Sequence, residues 1–191
     1  MSDEKTVGLL LQAVPYLAGR RIVKVLTPES GLLSFLAPRK ISPALTTPFV
    51  WAEWVFAKDY REIQRLKDAT LLDDLAALKR DYSRLAAAGQ IARDLLRSQM
   101  PGKPAAELLA LALACLRKLP LFIHPHLLAA SFRLKLLSHE GLLHPVDLSS
   151  PLLQTLAFSR SFHELSNVAP EEADLRKIDL LIEERLDFPR K

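Results

Sequence analysis

The chain has 191 residues, of which 49% are hydrophobic, so it can bury a core and is too apolar to be disordered. Its single cysteine, Cys115, excludes a disulfide framework and indicates a reducing compartment. The N-terminal residues lack the pattern of a secretion signal, and no apolar run reaches the roughly 18 residues that span a bilayer. These features predict a cytoplasmic protein.

The net charge is +4, and it is unevenly distributed along the chain. Residues 1–75 are nearly balanced, whereas residues 76–135 carry ten Lys and Arg against three Asp and Glu. Residues 136–191 are acidic, with six against ten. A basic middle favours a surface that attracts phosphates or an acidic peptide, although cations that only solvate helices remain an alternative.

Up to about residue 70, short apolar segments rich in β-branched residues alternate with turn signals such as Pro28-Glu-Ser-Gly31. Five strands are predicted: Thr6–Val14, Arg21–Thr27, Leu32–Ala37, Phe49–Ala57 and Arg61–Leu66. Five short strands without a helical period between them are typical of an OB-type β-barrel.

Beyond residue 70 the apolar period changes to 3.6 residues, which indicates helices. Proline and glycine punctuate the pattern into five predicted helices: Leu78–Met100, Ala105–Leu119, Pro125–Glu140, Ser150–Phe162 and Pro170–Leu186. The fold class predicted is therefore α+β, with an OB-type barrel over residues 1–75 and a helical domain over residues 76–191.

None of the common catalytic motifs occurs in the sequence, so no catalytic residue is predicted. Four histidines are candidate metal ligands: His124, His126, His139 and His144. Because no pair of carboxylates stands at ligand spacing, we predict neither a metal nor a cofactor. Cys115 lies in an apolar helix and is predicted to be a small buried side chain.

Between residues 20 and 67 the sequence holds nine basic and four acidic residues, interleaved with aromatic ones. OB-type barrels use cations to follow phosphates and aromatic rings to stack on bases. We predict that eight cations bind DNA: Arg20, Arg21, Lys24, Arg39, Lys40, Lys58, Arg61 and Arg65. For each aromatic side chain, however, a structural role in the core or between domains is expected before a role in stacking on bases. Trp51 and Trp54 have opposite parity on one strand, so one of them should be buried.

The order of these segments resembles the RecO family of recombination mediators. The N-terminal features are Pro15-Tyr16, then Arg21-Ile-Val-x-Val-Leu-Thr27, the Glu29-Ser-Gly31 turn, the basic pair Arg39-Lys40 and Pro48-Phe49. The C-terminal features are Leu78 to Ala88, Ser131-Phe-Arg-Leu-x-Leu-Leu137, Gly141 and Pro145. Their order along nearly the whole chain is the specific part of the resemblance. Many relatives then have a four-cysteine zinc module, whereas here His144–Ser150 leads directly to the next helix, so a form without zinc is expected.

The resemblance implies a non-enzymatic role in DNA repair and recombination, at the nucleoid in the cytoplasm. Proteins of this family bind single- and double-stranded DNA, anneal strands and help to load the recombinase together with a RecR-type partner. They also engage the acidic C-terminal tail of the single-strand-binding protein. We expect four cations of the helical domain to bind that peptide: Arg80, Arg84, Arg133 and Lys135.

Two other classes of function remain open. A helical protein–protein adaptor would have no affinity for DNA, so no salt-dependent binding to oligonucleotides would be observed. A small metal-dependent hydrolase would need a metal bound at His124 and His126.

Overall fold

The computed structural model describes residues 3–57, 61–169 and 171–186. The chain forms two compact units. The first contains Met1–Ala76 and Gln99–Ala110, and the second contains Ala77–Ser98 and Leu111–Lys191. The first break in the chain lies next to the predicted boundary, whereas the return of Gln99–Ala110 to the first unit was not predicted.

The first unit is built on a five-stranded mixed sheet in the described part of the chain. Its strands are β1 (Asp3–Tyr16), β2 (Arg20–Thr27), β3 (Gly31–Ala37), β4 (Val50–Ala57) and β5 (Ile63–Asp73). The strand order is β1-β2-β3-β5-β4, and β4 also pairs with β1, so the sheet closes on itself. Only the β3–β5 pairing is parallel among these neighbours. This arrangement is compatible with the predicted OB-type fold.

Alternation along the strands builds the barrel core. On β4 the even-numbered residues from Val50 to Phe56 are buried, while the intervening residues are only partly buried. Trp54 is fully buried, stacks at 6.2 Å on Phe35, and donates from Nε1 to the Gly8 carbonyl at 3.1 Å. Trp51 lies on the opposite face and is half-buried. The sequence therefore correctly predicted that one tryptophan would enter the core.

Two strands differ from the predicted bounds by more than one residue at an end. β1 extends from Asp3 to Tyr16, and β5 continues to Asp73 instead of ending at Leu66. The extension of β5 is polar and irregular, with a register shift opposite Val55 and Phe56. Pairing with β4 supplies the hydrogen bonds that keep this stretch extended, and such long-range pairing leaves no local signal.

The segment after residue 98 supports the β2–β3 turn with backbone hydrogen bonds. The Gly102 amide donates to the Ser30 carbonyl at 2.9 Å, and the Ala105 amide donates to the Pro28 carbonyl at 2.8 Å. The Leu32 amide in turn donates to the Met100 carbonyl at 3.2 Å. The sequence predicted only that Pro101-Gly102 would end a helix.

Six α-helices follow among the described residues. They are α1 (Tyr82–Ser98), α2 (Ala106–Lys118), α3 (Pro125–His139), α4 (Pro151–Phe158), α5 (Phe162–Ser166) and α6 (Glu172–Leu186). The fourth predicted helix ends at Phe158 instead of Phe162, and α5 was not predicted. The Ser161 hydroxyl accepts from the Glu164 amide and caps the start of α5. Pro170 lies outside the described residues.

Helix α3 is the centre of the second unit. Every residue from Leu127 to Leu134 is buried, and the helix packs against α1, α4 and α6. When a helix is buried on all sides, its polar side chains need hydrogen-bond partners within the protein. Its buried polar residues, Ser131 and Arg133, bond to Leu156 and to two aspartates respectively. Packing and polar contacts on α3 therefore hold several helices to it.

Candidate nucleic-acid interface

The strand register aligns outward-pointing side chains of β1, β2, β3 and β5 in rows. In one row Lys24 pairs with Ser34, which pairs with Ile63. In the next row Ile22 pairs with Leu36, which pairs with Arg65. Arg20 pairs with Tyr16 at the end of β1. We call this surface the outer barrel face: Tyr16, Arg20, Ile22, Lys24, Ser34, Leu36, Ile63 and Arg65.

The outer barrel face is positively charged. It contains Arg20, Lys24 and Arg65, and none of its eight residues is acidic. The side chains of these three cations form no hydrogen bond or ion pair with any residue that the structure describes. Tyr16 beside them is 46% exposed, and Ile63 is also exposed. Unpaired cations next to an exposed aromatic ring suit a phosphate backbone with stackable bases.

The remaining barrel cations lie elsewhere. Arg21 lies at the start of β2, and Arg39 and Lys40 follow β3, so these three are near one rim of the barrel. All three are exposed. Arg61 is exposed ahead of β5, and its carbonyl accepts from the Gln64 side chain. Lys58 lies outside the described residues.

The structure does not bring the four predicted peptide-binding cations together. Arg133 and Lys135 are two residues apart on α3, about 200° around the helix, so they point in different directions. Arg133 binds Asp94 of α1 and Asp179 of α6. The Lys135 ammonium instead donates to the Ser159 carbonyl at 2.7 Å. Both side chains thus bind partners inside the second unit, which we call the helical unit.

Arg133 and Asp94 form a buried ion pair with an Nε–Oδ2 distance of 2.7 Å. Burial raises the pKa of the Asp94 carboxyl, and this outweighs the lowering effect of Arg133 beside it. Burial likewise lowers the pKa of the Lys135 ammonium. No local pattern in the sequence marks Asp94 or Asp179 as partners, because they are more than 35 residues from Arg133 in the chain.

Arg80 and Arg84 remain more accessible. Arg80 is exposed just before α1, and Arg84 is half-buried in the first turn of α1. A separate apolar cavity of about 290 Å³ lies at the C-terminal half of α3, where Leu143, Leu148 and Phe158 line it beside His144. Phe158 is 66% exposed at this cavity. The helical unit thus offers cations and an apolar cavity, but they do not share residues.

Cys115 is buried, as predicted, and burial raises the pKa of its thiol to about 12. Of the histidines, His126 shares a hydrogen bond with Ser83 at 3.3 Å, and His139 lies 3.5 Å from the Glu140 carboxylate. In the described residues no three His, Cys, Asp or Glu side chains are grouped so that they could hold a metal ion. The described helices also include none with the length and apolar character needed to cross a membrane.

The fold and this surface together define an α+β protein with a closed five-stranded sheet, compatible with an OB-type fold, followed by helices, and with cations on the outer barrel face. No protein-family model matches the chain. Curated relatives are nevertheless found, and they are named DNA repair protein RecO.

The RecO of Chlamydia pneumoniae is 29% identical over 141 residues, which cover 71% of this chain and 56% of that protein. The RecO of Chlamydia muridarum is 27% identical over 173 residues, covering 88% of this chain and 70% of that protein. The RecO of Gloeothece citriformis is 29% identical over 140 residues, covering 68% and 49%. The matched region therefore spans between 49% and 70% of the length of these relatives. These similarities confirm the resemblance to the RecO family.

Proposed function

We propose that this protein is a non-enzymatic DNA-binding mediator of recombinational repair, acting in the cytoplasm on the nucleoid. The observation that carries the proposal is the outer barrel face, where Arg20, Lys24 and Arg65 lie beside Tyr16 and pair with no carboxylate in the part of the chain that the structure describes. Relatives named as DNA repair proteins support the same role. On this proposal the protein binds single- and double-stranded DNA, anneals strands and helps to load a recombinase with a RecR-type partner.

The proposal is tested by fluorescence anisotropy with labelled single-stranded and duplex DNA at 50 and 200 mM salt. If about four to six cations neutralise phosphates, affinity should fall by at least about 100-fold over that range. Lys24→Gln with Arg65→Gln should weaken binding and reduce the salt dependence. An affinity that is independent of salt would contradict the proposal.

A matched control is available on α6. Arg176 is exposed and pairs with Glu172 at 2.7 Å, so Arg176→Gln removes one positive charge from the second unit and leaves the first unit unchanged. This variant should bind DNA as the unchanged protein does. If it weakens binding as much as a single change on the outer barrel face, the charge acts diffusely and this face is not the site.

We further propose that the helical unit binds the acidic C-terminal tail of the single-strand-binding protein. Arg80 and Arg84 are accessible at the positively charged end of α1, where a carboxylate is favoured. The apolar cavity beside Phe158 could accept a hydrophobic peptide end. Arg133 and Lys135 would contribute only if their present partners were released.

A fluorescent acidic peptide with a free C-terminus tests this second proposal. Its binding should weaken with salt, with Arg84→Glu and with amidation of the terminal carboxylate. Arg176→Glu is the control. If the free and the amidated peptides bind equally well, no carboxylate site exists. If neither DNA nor a metal binds but peptides do, the helical-adaptor alternative is favoured.

A further inference from the structure

A small polar cavity of about 160 Å³ lies at the rim of the barrel, within the first unit. Arg21 and Arg39 line it together with Gly19, Ile41, Pro43 and Thr46, and the lining contains no acidic residue. Its volume equals that of about five water molecules at roughly 30 Å³ each. Such a space can hold one phosphorus atom and its four oxygens.

Arg21 is held in place by the loop that follows β3. Its Nη1 donates to the Thr46 carbonyl at 3.0 Å and to the Thr46 hydroxyl at 3.4 Å. Thr46 itself is buried and bonds back to the Pro43 carbonyl at 3.2 Å. Because one nitrogen of the guanidinium is anchored, the rest of this planar group has a restricted orientation.

Arg39 is positioned by Gly19, which has a φ of +70°. A Cβ atom at residue 19 would lie 2.6 Å from the Arg39 Nε and 3.0 Å from its Nη2. The guanidinium of Arg39 therefore lies against the bare backbone of the β1–β2 turn. Two arginines thus enter one small cavity from different segments, and none of the described residues that line it is a carboxylate.

We propose that this cavity, the rim pocket, binds a single phosphate group of a nucleic acid through Arg21 and Arg39. Guanidinium groups suit phosphate because they donate paired hydrogen bonds as well as charge. The exposed Leu17 and Tyr16 of the adjoining turn, which are 74% and 46% exposed, offer a surface for the neighbouring base. The nucleic-acid source of the phosphate rests on the proposed function, whereas the anion site itself does not.

The first experiment uses inorganic phosphate at constant ionic strength and follows the arginine Nε–H signals of the full-length protein by NMR. Saturable shifts confined to Arg21 and Arg39 are expected. Shifts that do not saturate, or that are equal at the exposed Arg20 and Arg65, would overturn the proposal.

A variant that keeps every charge gives the sharpest test. Gly19→Ala pushes the Arg39 guanidinium away, and phosphate affinity should fall about tenfold, as for the loss of one charge-assisted hydrogen bond. Gly102→Ala is the matched control, since Gly102 has a φ of +78° but nothing within 4 Å of the added Cβ. Equal phosphate affinities in the two variants would refute a built pocket.

A second pair keeps the test valid if Gly19→Ala does not fold. Arg39→Gln and Lys40→Gln remove the same charge from adjacent residues, and only Arg39 lines the rim pocket. Arg39→Gln should lower phosphate affinity about tenfold and Lys40→Gln far less. Equal losses would mean that the region attracts anions only diffusely.

Short thymidine oligonucleotides with a 5′-phosphate, a 3′-phosphate or two hydroxyl ends distinguish a terminal from an internal phosphate. If Arg39→Gln abolishes a preference for one phosphorylated end, the rim pocket holds a terminal phosphate. If it weakens all three oligonucleotides more than Lys40→Gln does, the pocket holds an internal phosphate. If the protein binds phosphate but no DNA, the proposed function is refuted and the rim pocket is not. If it binds DNA in a salt-dependent way and neither Gly19→Ala nor Arg39→Gln changes that binding, the rim pocket is refuted and the proposed function is not.

Discussion

At the scale of single residues, two tryptophans on β4 have different roles, because even- and odd-numbered positions of a strand face opposite sides of the sheet. Trp54 is fully buried and donates to the Gly8 carbonyl at 3.1 Å, whereas Trp51 on the same strand is half-buried. The indole of Trp54 therefore contributes both packing and a buried hydrogen bond to the barrel.

We expect Trp54→Phe to lower the free energy of unfolding by about 2 kcal/mol, because a buried hydrogen bond is lost and space is left behind. Trp51→Phe is the control and should cost about 0.5 kcal/mol or less. Urea unfolding of both variants measures the difference. Equal losses would show that the barrel core does not depend on the Trp54 indole.

The single thiol offers another test at this scale. With a pKa of about 12, Cys115 should hold only about one thiolate in 10⁵ at neutral pH. We expect a thiol-specific disulfide reagent to leave the folded protein unlabelled over hours and to label it rapidly in denaturant. Full labelling of the folded protein within minutes would mean that Cys115 is accessible.

At the scale of elements, Arg133 connects three helices. It extends from α3 to Asp94 on α1 and to Asp179 on α6. It is 8% exposed, so its guanidinium has little access to solvent. The cost of burying Asp94 exceeds the benefit of its pairing, as the raised pKa of that carboxyl indicates.

We expect Arg133→Met to destabilise the protein by about 3 kcal/mol, because the buried Asp94 carboxylate loses its nearest partner and keeps Arg97 at 3.8 Å. Combining it with Asp94→Leu should restore most of the stability. Thermal and urea unfolding of the single and the double variant give the comparison. A double variant no more stable than Arg133→Met would contradict this account.

The Arg133–Asp94 pair also predicts how the stability of Arg133→Met depends on pH. Without Arg133 the folded-state pKa of Asp94 rises further above its unfolded value, so protonation of Asp94 favours the folded state. The variant should therefore be less destabilised at about pH 5 than at about pH 8, measured by urea unfolding. An equal loss at both pH values would show that Asp94 stays ionised without Arg133.

At the scale of the whole molecule, the absence of a cysteine cluster in the sequence bears on folding. Structural zinc sites in proteins contribute folding free energy, so their chelation lowers the melting temperature. This chain has one cysteine, and that residue is buried in α2.

We expect the purified protein to contain no stoichiometric zinc and to keep its melting temperature when a chelator is added. Elemental analysis and differential scanning fluorimetry with and without chelator measure both quantities. Zinc at one equivalent, or a melting temperature that falls with chelator, would contradict the expectation and revive the metal-dependent alternative at His124 and His126.

The sequence by itself determined the succession of elements. The change from period 2 to period 3.6 near residue 70 is local, so it correctly predicted strands followed by helices. Turn and capping residues fixed most element ends for the same reason. The end of α4 at Phe158 and the start of α5 after Ser161 were missed, because a serine cap resembles an ordinary polar helix position.

Only the tertiary structure decided which cations lie together. Arg20, Lys24 and Arg65 share a face because β3 pairs in parallel with β5, and Arg39 meets Gly19 across a turn twenty residues away. Charge counts could not distinguish these accessible side chains from Arg133, which belongs to the helix core. Strand register and buried ion pairs depend on contacts between distant segments, and no local pattern of residues encodes those contacts.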